Sequence, residues 1–320
     1  MHLNEPFMLW SACSGRRGRI ASAEKMRHSL IQALCCASVF ALFVVSGSHV
    51  SAQERYRLQE TYAAGDVSEI EVSTKYQFTT HAGVGGLELD KNTHGERNHA
   101  KLVERIMSVD AASHVDCYRV AYSIAHQVDI TPEGDTGGDR SVLGKVITVR
   151  RTGDKVTITP DKGKIDDEDK AVLRSNMLNI ERSEFSIPDR DIPVGEEWPV
   201  DGQRFIRAFE FPHGTTAKGN AKFVGIVENQ GHKCAHIHMA VKVNLLTPGL
   251  TGETTNDLEG DLYHALDIHK TLSMYLNGPI TLTAREKVNG FDVDITGSGS
   301  ADVALSIDYK MLAGKPVVKK

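Results

Sequence analysis

The chain has 320 residues, 25% of them charged and 40% hydrophobic, with aromatics at only 6% and a formal net charge of −5. That composition suits a globular chain long enough for one large domain or two smaller ones. It excludes the usual nucleic-acid binder, which is basic with clustered Lys and Arg.

The first feature in chain order is a leader. Residues 26–52 begin with a short basic start (Met26, Arg27, His28), continue as an apolar run from Leu30 to Val45, and end on the small-residue site Val50-Ser51-Ala52. These are the three regions of a secretory signal peptide. The run is too short for a membrane span. Met26 is therefore expected as the true start, residues 1–25 as an upstream extension, and residues 53–320 as the mature chain in the periplasm or outside the cell. Cys13, Cys35 and Cys36 fall in the removed part, leaving Cys117 and Cys234. In an oxidising compartment such a pair is a disulfide candidate.

A period of two dominates the rest. Val67 to Val72 mixes β-branched and charged residues, as a half-exposed strand does. Further strands are expected at 101–109, 117–128, 143–150, 155–159, 203–211, 217–228, 232–246, 258–267, 271–286 and 291–309. Turn signals fall at 228–231, 277–279 and Asn289-Gly290, the last a hairpin signature. The patternless stretch 131–141 is expected as a loop. One helix is expected after Asp166-Asp167-Glu168-Asp169, four acids that suit a helix N-terminus. Val172, Leu173, Met177 and Ile180 then follow at helical spacing. The fold class is thus mainly β: long antiparallel strands forming curved sheets or an open half-barrel, with one central helix. Asp191 to Trp198 reads as a junction, so that two β-rich halves meet near 188–202.

The stretch GHKCAHIHMAV, residues 231–241, carries the sharpest chemistry. On a strand Ala235, Ile237, Met239 and Val241 share one face, and His232, Cys234, His236 and His238 share the other. His-x-His places two imidazoles on one side, as some zinc and copper sites do, and a catalytic zinc needs a third protein ligand. His264 and His269, in LYHALDIH, are the candidates, with Asp267 between them. The alternative is a plain polar strand face, with Cys234 free or paired to Cys117. A cysteine in a disulfide is not a thiolate ligand, so these readings compete. His94, His99 and Glu104 are either acid–base groups or scattered polar residues. The acidic loops 133–139 and 161–169 lack the spacing of a calcium loop. There is no Gly-x-Ser-x-Gly elbow, phosphate loop or His-Glu-x-x-His. Gly83 to Gly86 lacks the later glycine and the helix of a nucleotide fingerprint.

Several pieces carry a resemblance: Val115 to Tyr122, Val146 to Arg150 leading to Ile165-Asp166-Asp167-Glu168, IPDRDIPVGEEWPVDG at 187–202, Lys233 to Ile237, and Leu258 to Asp267. Together they resemble a group of secreted bacterial proteins of unknown function common in planctomycetes. That resemblance implies no catalytic residues. At the level of fold, long antiparallel strands with one helix also resemble the open half-barrels of periplasmic lipoprotein carriers, which bind acyl chains on a concave face. Three expectations result. The first is a β protein binding a lipid or other hydrophobic molecule. The second is a metal-binding protein or metallohydrolase that uses zinc or copper at His236, His238, His264 and His269. The third is an envelope structural or assembly protein that meets other proteins through sheet edges.

Overall fold

Alternating β-branched and polar residues over long runs favour strands that pair side by side, one face toward a core and one toward water. The computed structural model bears this out. It describes residues 54–111, 114–178, 187–188, 190–208, 214–245, 251–288 and 291–317. The expected leader and its cleavage site lie outside the described residues.

The first half comprises β1 (Arg55–Arg57), β2 (Val67–Val84), β3 (Leu87–Val109), β4 (Val115–Thr131), β5 (Gly134–Asp139), β6 (Val146–Thr152), β7 (Lys155–Pro160) and helix α1 (Asp167–Leu178). A connecting stretch holds β8 (Asp191–Pro193), β9 (Glu197–Pro199) and helix α2 (Gly202–Ala208). The second half is a meander of β10 (Thr216–Asn229), β11 (His232–Leu245), β12 (Thr251–Ala265), β13 (Lys270–Val288) and β14 (Phe291–Leu312), followed by β15 (Lys315–Pro316).

Thirteen strands form one antiparallel sheet in the order β7-β6-β4-β3-β2-β14-β13-β12-β11-β10-β9, with β5 on β4 and β15 on β14, while β1 and β8 pair separately. The sheet is open, ending on β7 and β9. The two halves join at its middle, where β2 pairs with β14 from Gly83↔Asp294 to Val67↔Met311. The stretch expected as a junction, Asp191 to Trp198, folds back with Val200 on the edge of β10: the Gly195 amide donates to Phe223, that of Phe223 to Glu196, and that of Val200 to Gly219.

Local chemistry sets the hairpins. Gly85 and Gly86 (φ 60° and 85°) join β2 to β3, and Gln230 and Gly231 (φ 52° and 81°) join β10 to β11. Both are two-residue turns with positive φ at both positions, the geometry that matches strand twist. Val288 pairs with Phe291; the expected hairpin signal Asn289-Gly290 itself lies outside the described residues.

Three expectations need correction. The loop expected at 131–141 contains strand β5, paired to the end of β4; backbone pairing there needs no apolar side chains. The strand expected at 203–211 is helix α2 where it is described. Asp201 caps it, its Oδ1 accepting the Gln203 and Arg204 amides at 3.0 Å each. The turn expected at 277–279 is continuous strand. Gly278 is needed because a Cβ there would lie 1.7 Å from the Asp257 carbonyl oxygen of the neighbouring strand.

Cross-strand partners share a face of an antiparallel sheet. The row Ile237–Leu262–Met274–Leu305–Val72–Ala100–Ala125 therefore marks one face, the inner one. Two covers lie on it. At the β4–β6–β7 end, Leu173 and Met177 of α1 are buried on Tyr118, Val120, Ile147 and Val149. Asp166 caps α1, accepting the Asp169 amide at 2.9 Å. At the other end, Leu58, Ile192, Trp198, Val200 and Phe205 bury Phe223, Ile237, Met239 and Leu262.

Candidate functional site

Between the covers the inner face changes character. On β14, β2 and β3, Val303, Leu305, Ile70, Val72, Phe78 and Leu102 are only partly buried, and Tyr76 stays 45% exposed. Same-face residues under the covers, such as Ile237 and Met239, are fully buried. These three strands make a strip on the order of 14 Å wide at about 4.8 Å per strand, apolar along Ile70, Val72, Leu102, Val303 and Leu305 and polar where Thr74, Asn98, Glu96 and His94 share the face. Gly297 shapes its floor: a Cβ there would meet the Phe78 ring at 2.4 Å, so Phe78 lies across it. Beneath α1 lies a small cavity of about 20 Å³, room for a single water, lined by Ala100, Tyr122, Ala125, Val142 and Leu173. Arg140 and Asp169 form its polar wall, joined by Arg140 Nε donating to Asp169 Oδ1 at 2.7 Å.

A buried polar cluster stands at one end of the strands. Lys270 Nζ, 2% exposed, is 3.0 Å from Asp66 Oδ2, whose side chain is 6% exposed. The ammonium also lies 4.1 Å from the centre of the Tyr62 ring and 5.3 Å from that of Tyr309. Asp66 accepts the Ala63 amide at 3.1 Å and the Ala313 amide at 2.6 Å. Glu60 accepts the Thr271 amide at 2.9 Å and the Tyr62 hydroxyl. His264 is 0% exposed. Neither of its ring nitrogens, nor the buried Thr271 Oγ1 across the ladder, has a hydrogen-bond partner among the described residues.

The electrostatics follow from this crowding. Burial pushes the His264 pKa down to about 4, against the pull of Glu60 and with help from the charges of His269 and Lys270. Burial works the other way on Glu60. The charge that His264 carries when protonated, the Thr271 and Tyr62 donors and Lys270 outweigh it and hold Glu60 below the ordinary carboxylate value. Burial, then the Glu60 carboxylate, raises the Tyr62 hydroxyl well above 10. Tyr309 is raised by burial and by Glu60, Glu104 and Asp66.

The histidine row of β11 lies on the outer face. His236 Nε2 is 2.7 Å and His238 Nδ1 is 3.1 Å from the same Asp261 oxygen, and His238 Nε2 is 3.1 Å from Glu259. His232 Nδ1 is 3.0 Å from Asp267. His236 stacks on Tyr263 with ring centroids 5.0 Å apart. Burial opposes the charge on Asp261, but its hydrogen bonds to His236 and His238 prevail and lower its pKa.

The expected ligand set is not assembled. His264 pairs with Ala235 across the ladder and so sits on the inner face, with the sheet between it and His236 and His238. His269 occupies the β12–β13 turn with φ 52°. Among the described residues no group of three His, Cys, Asp or Glu side chains is arranged to hold a metal ion. His99 pairs with Glu71 while Glu104 lies across from Ser68 on the other face, so these two do not form an acid–base pair.

The expected Cys117–Cys234 disulfide also needs correction: both are buried free thiols. They lie on β4 and β11, six strand-to-strand steps apart, or about 29 Å along the sheet. A disulfide needs Cα atoms within about 7 Å. Burial, against the backbone hydrogen bond to Asn229 and with the nearby Asp267 charge, pushes the Cys234 thiol up to about 11. The unfolded 53–320 chain is therefore expected to react with two equivalents of a thiol reagent without reduction. In the folded chain Cys234 is expected to resist alkylation at pH 8. One equivalent or none from the unfolded, unreduced chain would refute this.

Comparison with known proteins adds no family: no family model and no curated protein matches the chain. Among solved structures, lipovitellin, from a study of its lipid–protein interactions, aligns with 81% of this chain at 6% identity and a TM-score of 0.36. The chain spans 26% of that protein's length. DynF, from the dynemicin biosynthesis pathway of Micromonospora chersina, aligns with 78% of this chain and 83% of its own at 10% identity and a TM-score of 0.22. Among the described residues, no helix is long and apolar enough to cross a membrane.

Proposed function

We propose that this chain is a secreted β protein that binds a hydrophobic ligand, an acyl chain or a molecule of similar width, along the inner face of β14, β2 and β3. Export rests on the leader at 26–52. Binding rests on one observation: the two covers leave the apolar side chains Ile70, Val72, Leu102, Val303 and Leu305 of three neighbouring strands partly exposed, with Tyr76 at 45% exposure beside them. Strips of this kind gain about 25 cal/mol per Å² when a ligand removes them from water.

The test is titration of the purified chain with a fluorescent fatty acid, together with native mass spectrometry of protein prepared without detergent. Tyr76→Glu and Val72→Glu place a charge on this strip and are expected to weaken binding at least tenfold, with unchanged far-UV circular dichroism. Affinity unchanged in both variants would sink the proposal.

A further inference from the structure

We propose that Lys270 and Asp66 condense into an intramolecular isopeptide bond, tying the segment before β2 to the start of β13. Three observations converge on this pair. The reacting groups are held in contact, with Nζ 3.0 Å from Oδ2. Both are almost fully buried, at 2% and 6% side-chain exposure. The ammonium is flanked by the rings of Tyr62 and Tyr309 instead of by water.

The chemistry balances without a co-reactant. The Lys270 ammonium gives up a proton, and its amine attacks Cγ of Asp66. A C–N bond forms and the Cγ–Oδ2 bond breaks. Of the three ammonium hydrogens one stays on the amide nitrogen, and two leave with Oδ2 as water. The Ala313 amide, 2.6 Å from Oδ1, is placed to stabilise the oxygen that gains charge in the tetrahedral intermediate. The proton passes from Nζ to Oδ2 along their 3.0 Å contact. The Glu60 carboxylate stands in the same cluster, holding the Tyr62 hydroxyl, whose ring lies against Nζ, and the amide of Thr271 next to Lys270.

Two physical reasons favour the bond over a persistent ion pair. Fixing amine and carboxyl in contact replaces an encounter between separate molecules by an effective concentration that reaches about 10⁵ M or more in well-oriented systems. Burial penalises two separated charges but not the neutral amide that replaces them.

The experiment is peptide mapping by mass spectrometry of the purified full chain, alkylated and digested under denaturing conditions. The expected result is a branched peptide joining the Asp66 and Lys270 segments, 18 Da lighter than their sum. Asp66→Asn is expected to give the same link by loss of ammonia, 17 Da lighter. Lys270→Arg keeps the charge but carries no amine, so it is expected to lack the link and to melt about 10 °C lower, as removal of a long-range tie should. Separate, unshifted Asp66 and Lys270 peptides in the natural chain would overturn the proposal, as would an 18 Da loss that persists in Lys270→Arg. The mapping of the natural chain stands even if a variant fails to fold.

Discussion

Replacing Phe223 with alanine is expected to lower the unfolding free energy by about 3–5 kcal/mol, the range for removing a fully buried phenylalanine. Phe223 is 0% exposed, meets Tyr56 edge-on with centroids 5.7 Å apart, and belongs to the cluster that holds Leu58, Ile192 and Trp198 over the sheet. Its backbone is tied at the same place, donating to Glu196 and accepting from Gly195. The cavity would thus open where the cover attaches. Trp198, the only tryptophan after residue 52, reports the change. Urea titration followed by its fluorescence should show a lower midpoint with an unchanged slope. A loss below about 1 kcal/mol would mean that the cover is not anchored there.

A second large effect depends on pH. His264 has a folded-state pKa of about 4 against an ordinary 6.5, so between those values the unfolded chain binds a proton that the folded chain refuses. Stability is therefore full above about pH 6.5, falls as the pH drops toward about 4, and loses nothing further from this residue below that. At 1.36 kcal/mol per unit the loss across the window is about 3 kcal/mol. Glu60, with its lowered pKa, has the usual carboxylate sign: its contribution is lost as pH falls through that lower value, so it acts at the acid end. The His264→Leu variant is expected to flatten the curve between pH 6.5 and 4 while leaving stability near pH 7.5 within about 1 kcal/mol of the parent. Denaturant midpoints measured across pH 4–8 check this; parallel curves for the two proteins would rule His264 out as the source.

The strands were legible in the sequence because burial on one face imposes a period of two over many residues. The face of β11 that carries Ile237 and Met239 could be told from the one that carries His236 and His238 without a structure. So could helix α1, from its acidic start. Which strands lie side by side has no local signal, so the spacing alone groups His264 with His236 and His238, while its face depends on its cross-strand partner, Ala235, 29 positions earlier in the chain. Cys117 and Cys234 failed for the same reason, because the presence of two cysteines says nothing about the five strands between them. The polar cluster left no local trace at all. Glu60 and Thr271 are 211 positions apart, Asp66 and Lys270 204, and each alone reads as an ordinary surface residue. Helix α2 is hard to read locally because its apolar pair, Phe205 and Ile206, sits in a run that also alternates, and Asp201 alone is a weak cap signal.

The pairing of β2 with β14 constrains how the chain reaches this state. Each half is a series of neighbouring hairpins that can form from local contacts, but the seam joins Ser68 to Tyr309. Closing a loop of that length carries an entropic penalty of about 5 kcal/mol, before any constant term. The seam should therefore form late. Until it does, β2 and β14 are both bare edges, each able to pair with the same strand of another chain. The interval between completing the halves and zipping the seam is the time in which this protein is most exposed to domain exchange and aggregation.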